Sequence, residues 1–247
     1  AFGLMLALTV HASGWPVVRG GSEGLTVALQ RHLESLGGEV RVGCPVSSLD
    51  DLPKSTAVLL DLTPRQVLAL AGDRLPDEYR RALGRYRYGP GVFKVDWALD
   101  APIPWTSTLC GQAGTVHLGG PMEEVVASEA ASERASRQPF VILVQATTFD
   151  RSRAPEGKHT AWAYCHLPNG SKADMTDNIE AQVERFAPGF KDRILARHVF
   201  GPAAMEAYNP NYVGGDINGG IQDWRQLFTR PVVSALPYAT PDRGLYI

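Results

Sequence analysis

The chain has 247 residues, 44% of them hydrophobic and 20% charged, with a formal net charge of −2. That length suits one large domain or two small ones, and the near-neutral balance excludes the basic stripe that a nucleic-acid partner would require. Cysteines at 44, 110 and 165 are odd in number and widely spaced, which fits a reducing, cytoplasmic setting and argues against a disulfide framework or a zinc site, so no metal is expected.

The opening AFGLMLALTVHA has no basic leader, and its apolar run is about half of what a spanning helix needs. It predicts a buried helix. Next comes GWPVVRGGSEGLTVALQRHLESLGGEVRVGCPVSSL, residues 14 to 48. Ser22 is placed to cap a helix whose apolar side is Leu25, Leu29, Leu33 and Leu36, and Gly37-Gly38 is placed to stop it. A strand should follow, because Val40, Val42, Cys44 and Val46 alternate with polar or small residues. In AVLLDLTPRQVLALAG (57 to 72) an apolar run of strand length feeds a helix with Thr63 as N-cap and Pro64 at the first helical position. Thr63 would then lie at the carboxyl end of a strand, where open α/β sheets bind ligands. Asp61, inside the apolar run, calls for a structural ion pair or marks the approach to a cofactor; the ion pair is the simpler expectation.

The middle changes character. Residues 76 to 87 predict an exposed helix, and VFKVDWALD (92 to 100) a half-buried strand with Phe93, Val95, Trp97 and Leu99 facing a core or pocket. Further strands are expected at 115–120, 140–148 and 158–167, and helices with acidic first turns at 122–135 and 175–187. Antiparallel strands broken by helices, set between pieces of a parallel-type unit, make an α+β fold. Neighbouring strand residues point to opposite faces, so Cys165 and His166 cannot act jointly on one atom. Trp97, Pro104, Trp105, Trp162 and Tyr164 are candidates for an apolar substrate wall and equally for ordinary core. In NPNYVGGDINGG (209 to 220) glycine pairs bracket Asp216, which suits close backbone approach to a flat ring or a compact surface loop.

The order of Pro16, Gly20-Gly21, Gly37-Gly38 and Val46, then the 57–72 unit, the 209–220 cluster, Arg230-Pro231 and TPDRGLYI (240 to 247) resembles the FAD-dependent oxidoreductases that include phytoene desaturases, amine oxidases and phytoene-dehydrogenase-like proteins. The resemblance implies α/β cofactor-domain pieces at 1–74, with a cleft helix at 1–13, and at 206–247, flanking a substrate domain at 75–205. It implies FAD bordered by Val46, Thr63, Pro64, Gly214, Gly215 and Asp216. It further implies an apolar or amine-like small-molecule substrate against Trp97, Trp105 and Trp162, oxidised by hydride transfer to the flavin. No catalytic side chain is assigned, because such sites work mainly through the cofactor. Peripheral membrane contact, seen in carotenoid-processing members, stays open, and the oligomeric state is not set. The chain has no G-x-G-x-x-G to hold a pyrophosphate. The expectation is therefore an internal piece of a longer flavoenzyme that does not retain FAD alone.

Gly20-Gly21-Ser22-Glu23-Gly24 also satisfies the G-x-S-x-G nucleophile elbow, with His159, His166 or His198 as later partners. The short stretch before it carries no strand ladder and no oxyanion-hole loop, and a helix cap accounts for Ser22. A serine hydrolase is thus the alternative from another class, and a non-catalytic binding module a third.

Overall fold

The computed structural model describes residues 2–14, 16–130, 135–227 and 230–247. At its centre is a five-stranded antiparallel sheet in the order β3-β4-β5-β2-β6, and beside it a two-stranded parallel ladder. With the helices this makes the α+β fold that the strand and helix patterns predict.

In the large sheet β2 (Gly91–Leu99) and β5 (His159–Leu167) pair along their whole length, from Gly91 opposite Leu167 to Leu99 opposite His159. β4 (Val141–Val144) continues the sheet on one side, with β3 (Thr115–Leu118) at its edge, and β6 (Ile194–Phe200) closes the other side against β2. The period-2 alternation sorts the residues. Phe93, Val95, Trp97 and Leu99 of β2 and Ala161, Ala163, Cys165 and Leu167 of β5 are buried, as are Val141 and Leu143. Onto this face packs α7 (Thr176–Phe186) with Ile179 and Val183, followed by Phe190. Each fully buried side chain of this size contributes about 1.5–3 kcal/mol relative to exposure.

Trp97 belongs to that core. It is 2% exposed, meets Phe190 edge to face at 5.1 Å, and its Nε1–H donates to the buried Glu180 at 3.0 Å. Glu180 in turn accepts from Arg197 at 2.8 Å, which compensates its burial. The expectation that Trp97 faces a substrate is corrected: its strand position points it under α7.

A second, smaller core joins residues from both ends of the chain. Leu49, Leu60, Val67, Ala71, Leu75, Leu83 and Leu245 pack together. Val67 and Ala71 come from α3 (Pro64–Ala71), Leu83 from α4 (Asp77–Gly84) and Leu245 from β7 (Leu245–Tyr246), while Leu60 directly follows β1 (Val58–Leu59), Leu75 directly precedes Pro76 and α4, and Leu49 opens a one-turn helix. Val58 and Leu59 of β1 run parallel to Leu245 and Tyr246 of β7.

The N-terminal region departs from expectation. α1 (Phe2–Ser13) is a helix, but Leu4, Met5 and Leu8 are each more than half exposed. Nothing among the described residues packs against it, so the predicted burial is corrected. α2 (Glu23–Ser35) forms where its leucines repeat, yet Leu25, Leu29, Leu33 and Leu36 are exposed. Its end is as the sequence dictates. Gly37 takes φ +85°, Gly37 N donates to Glu34 O and Gly38 N to Leu33 O, both at 3.0 Å, which is the Schellman stop. Its start is not, because the Ser22 hydroxyl caps no amide. Residues 38–47 form no strand, since the alternation has no partner to pair with; Val40, Val42 and Val46 are exposed.

The predicted helix at 122–135 is observed as α6 (Met122–Ala130), and its continuation through 131–134 lies outside the described residues. The remaining helices are short: α5 (Thr108–Gly111), α8 (Pro202–Tyr208) and α9 (Trp224–Leu227). No helix among the described residues is long and apolar enough to cross a membrane.

Candidate functional site

Two neighbouring features make up the candidate site. The first is a cavity of about 600 Å³ where β1 ends and α3 begins, lined by Thr63, Pro64, Asn211, Asn218, Gly219 and Arg230 among others. The chain places Thr63 there because β1 runs into α3 through Leu60–Leu62 with Pro64 at the first helical position, where its missing N–H costs nothing. Thr63 is held from three sides. Its N–H donates to Asn211 Oδ1 at 2.8 Å, its carbonyl accepts from Val67 N at 3.0 Å, and its hydroxyl oxygen accepts from the Tyr88 phenol at 3.1 Å. Arg65 N–H donates to the same phenol at 3.1 Å. The first amides of α3 are therefore satisfied by protein groups, and this helix end has none left for a phosphate.

Asp61 also lines this cavity and is exposed. It makes no ion pair among the described residues, so the expected structural pair is corrected; an exposed carboxylate needs no protein partner. Across the cavity, the Tyr86 hydroxyl donates to Gly219 O at 2.7 Å. Burial pushes the Tyr86 phenol above its ordinary range, opposed by the nearby Arg230 cation.

Gly214, Gly215 and Asp216 stand directly behind this lining and are buried. Gly214 and Gly215 have φ of +63° and +85°, and an added Cβ would sit 2.0 Å from Asn169 Oδ1 at the first and 2.6 Å from Pro202 Cα at the second. The close approach that these glycines permit is thus to the protein itself. Asp216 organises the loop: its Oδ2 accepts from Gly89 N and Gly220 N, both at 2.7 Å, and its Oδ1 from Asn218 N at 2.8 Å. That carboxylate positions Asn218 and Gly219 on the cavity wall. Val46, the other expected cofactor residue, is exposed in the extended 38–47 segment and is not part of this lining.

The second feature is the open face of the large sheet. On it Trp162 and Tyr164 of β5 stack with ring centres 6.2 Å apart, and Lys94 of β2 lies 5.3 Å over the Trp162 ring while pairing with Asp96. Register extends this face to β6, where Phe200 pairs with Lys94 and His198 with Asp96. His198 and Phe200 meet at 4.8 Å, and Phe200 contacts Tyr208 at 6.3 Å. Tyr208 ends α8, and Asn209, which follows it, lines the cavity. The aromatic face and the cavity thus adjoin at the end of α8, through Tyr208 and Asn209.

The sequence-derived tryptophans therefore separate. Trp162 is on the open face. Trp105 is half-buried on the core side, its Nε1–H donating to Gln145 Oε1 at 3.0 Å. Lys94, Asp96 and Phe200 are site residues that the sequence pattern does not single out, and His198, a candidate only for the hydrolase alternative, joins them here; for Lys94 and Asp96 the signal is present, since they share a strand face with Ala98. Cys165 and His166 part as predicted. Burial pushes the Cys165 thiol up to about 12, whereas His166 Nδ1 meets Glu129 at 2.8 Å on the other face. His159 sits against Thr147 at 3.3 Å. Ser22 adopts an ordinary right-handed helical conformation with no strand before it among the described residues. The strained turn that a nucleophile elbow requires is missing.

No family model matches the chain. It is 31% identical over 213 residues to the pyridine nucleotide-disulfide oxidoreductase domain-containing protein 2 of Rattus norvegicus, a match covering 76% of this chain and 35% of that protein. The Mus musculus protein of the same name is 32% identical over 124 residues, covering 45% of this chain and 21% of its own length. The chain thus spans about a third of the rat relative at most. Among solved structures, an oxidoreductase from Methanosarcina mazei overlaps 92% of this chain and 48% of its own, with a TM-score of 0.55 at 17% identity, a likeness of fold.

Proposed function

We propose that this chain is part of an FAD-dependent oxidoreductase, in which it supplies the substrate-facing sheet and one wall of the flavin site. The observation that carries the reading is that the aromatic sheet face of Trp162, Tyr164 and Phe200 adjoins the cavity beside Thr63 and Pro64 at the end of α8. Similarity to proteins named as oxidoreductases supports the reaction class. FAD would supply the hydride acceptor.

The residues present fit one end of such a cofactor only. A cavity of about 600 Å³ with Asn211, Asn218 and Arg230 on its walls suits a flat polar ring system. The α3 amides are already bonded, and the chain has no glycine-rich turn of the pyrophosphate-binding kind. In this reading 1–74 and 206–247 belong with the cofactor domain and 75–205 forms the substrate domain. Trp162 and Tyr164 bind the substrate, with Lys94 and Asp96 setting its polarity. Thr63 and Pro64 border the flavin, while Gly214, Gly215 and Asp216 shape the wall from behind. Desaturation of a phytoene-like polyene fits less well than oxidation of an amine-like or polar aromatic substrate, because a hydrocarbon would strip water from the Lys94–Asp96 pair without replacing it.

The test compares two preparations. This chain alone should purify without stoichiometric flavin by visible absorbance. The longer polypeptide that contains it should carry flavin, and Arg230→Ala should lower occupancy there while Trp162→Ala leaves it unchanged. A longer polypeptide free of flavin, or one indifferent to Arg230→Ala, would overturn the assignment.

A further inference from the structure

On the core side of the sheet, where α7 no longer covers it, lies a separate cavity of about 590 Å³. Its floor is apolar, formed by Leu99, Ile103 and Ala161, and its rim carries Arg151, Lys158 and His159. Leu99 and His159 are direct partners in the β2–β5 ladder and Ala161 lies two residues on, so all three project from the face opposite Trp162 and Tyr164. The cavity is therefore divided from the proposed substrate surface by the sheet itself.

Its charges are unbalanced. Neither Arg151 nor Lys158 meets a carboxylate among the described residues, and Glu156 is the only acid on the lining. Asp150, the nearest acid in sequence, is turned away: it accepts from Gly20 N at 2.6 Å and from the Ser152 hydroxyl at 2.6 Å. The imidazole of His159 is fixed by Thr147, itself 6% exposed, so its position does not depend on a ligand. An unpaired guanidinium and ammonium above an apolar floor match an oxyanion joined to a compact apolar body. The volume falls in the range of small-molecule sites.

We propose that this cavity binds a small organic oxyanion, a carboxylate or phosphate on a compact apolar or aromatic body, at a second site distinct from the substrate surface. Arg151 takes the oxyanion in a bidentate pair, Lys158 adds a second charge, and Leu99, Ile103 and Ala161 receive the apolar body. The proposal stands independently of the flavin reading.

Calorimetric titration of the chain with phenyl phosphate, benzoate and benzyl alcohol tests it. Phenyl phosphate or benzoate should bind saturably with Kd below about 1 mM, and the stronger of the two identifies which oxyanion the site prefers. Benzyl alcohol should bind at least about tenfold more weakly, and the double variant Arg151→Ala, Lys158→Ala should weaken the anion by a similar factor. Both side chains are exposed and bear no structural bond, so the variant should keep the parent circular dichroism spectrum. The site assignment fails if neither anion saturates, if the double variant binds as tightly as the parent, or if the neutral alcohol matches the anions.

Discussion

Replacing Gly215 by alanine separates a structural role for the 213–216 turn from a ligand-contacting one. At φ +85° an L-residue is held in the left-handed region, which costs about 1–2 kcal/mol. The new Cβ would also lie 2.6 Å from Pro202 Cα and 3.3 Å from Gly91 Cα, both backbone atoms that cannot swing aside. Overpacking of this kind adds about 1–3 kcal/mol. Together these predict a loss of about 2–5 kcal/mol, a large part of a typical domain's stability and a fall in Tm of about 4–20 °C. Calorimetry or urea unfolding followed by circular dichroism measures this on the chain itself, with no cofactor present. If Gly215→Ala lies within about 0.5 kcal/mol of the parent, the described packing of the turn against Pro202 is wrong.

Serine 22 offers the opposite case. Its hydroxyl caps no amide, so Ser22→Ala should change stability by less than about 0.5 kcal/mol in the same assay, and a fluorophosphonate probe should not label it; a cost near 1 kcal/mol would restore the cap. Thiol titration with DTNB at mildly alkaline pH should modify the exposed Cys44 readily and leave Cys165 unreacted until the chain unfolds, because burial holds that thiol protonated. Acid should destabilise the turn near the cavity. The Arg65 guanidinium and then Gly214 N hold the Glu206 carboxyl below its ordinary value, as the amides of Gly189 and Lys191 do for Glu184. Their stabilisation is complete above the ordinary carboxylate value of about 4.3 and is lost as pH falls through the lower folded values. Urea midpoints should therefore drop below about pH 4, by an amount reduced by solvent screening; midpoints that rise there would contradict the assigned pairs.

The strands of the large sheet were legible where alternation was strict. In β2 the set Phe93, Val95, Trp97 and Leu99 is buried as the pattern demands, and β5 and α7 fall within the predicted segments. Sidedness was the harder question. Alternation says that Trp97 and Lys94 face opposite ways but not which face α7 will cover, so the pattern alone leaves Trp97 between substrate wall and ordinary core. β6 escaped notice because it is an edge strand whose residues are mostly exposed, with no clean apolar face. The 40–46 alternation and the leucines of α2 meet no apolar or strand partner among the described residues, so propensity there yields a helix and no strand. The open-face site depended on pairings that only the register supplies, such as His198 with Asp96.

The ladder between Val58–Leu59 and Leu245–Tyr246 has a kinetic meaning. The large sheet closes through contacts among residues 91 to 200, whereas this ladder joins Val58 to Leu245, across the whole of that span. Loop-closure entropy makes such a pairing slow to nucleate and dependent on what has folded between. Removing the last few residues should then leave the central sheet able to form while β1 and the small core around Leu60, Val67 and Leu245 lose their closing partner. The cavity beside Thr63 would be the last part of the molecule to take shape and the first to open.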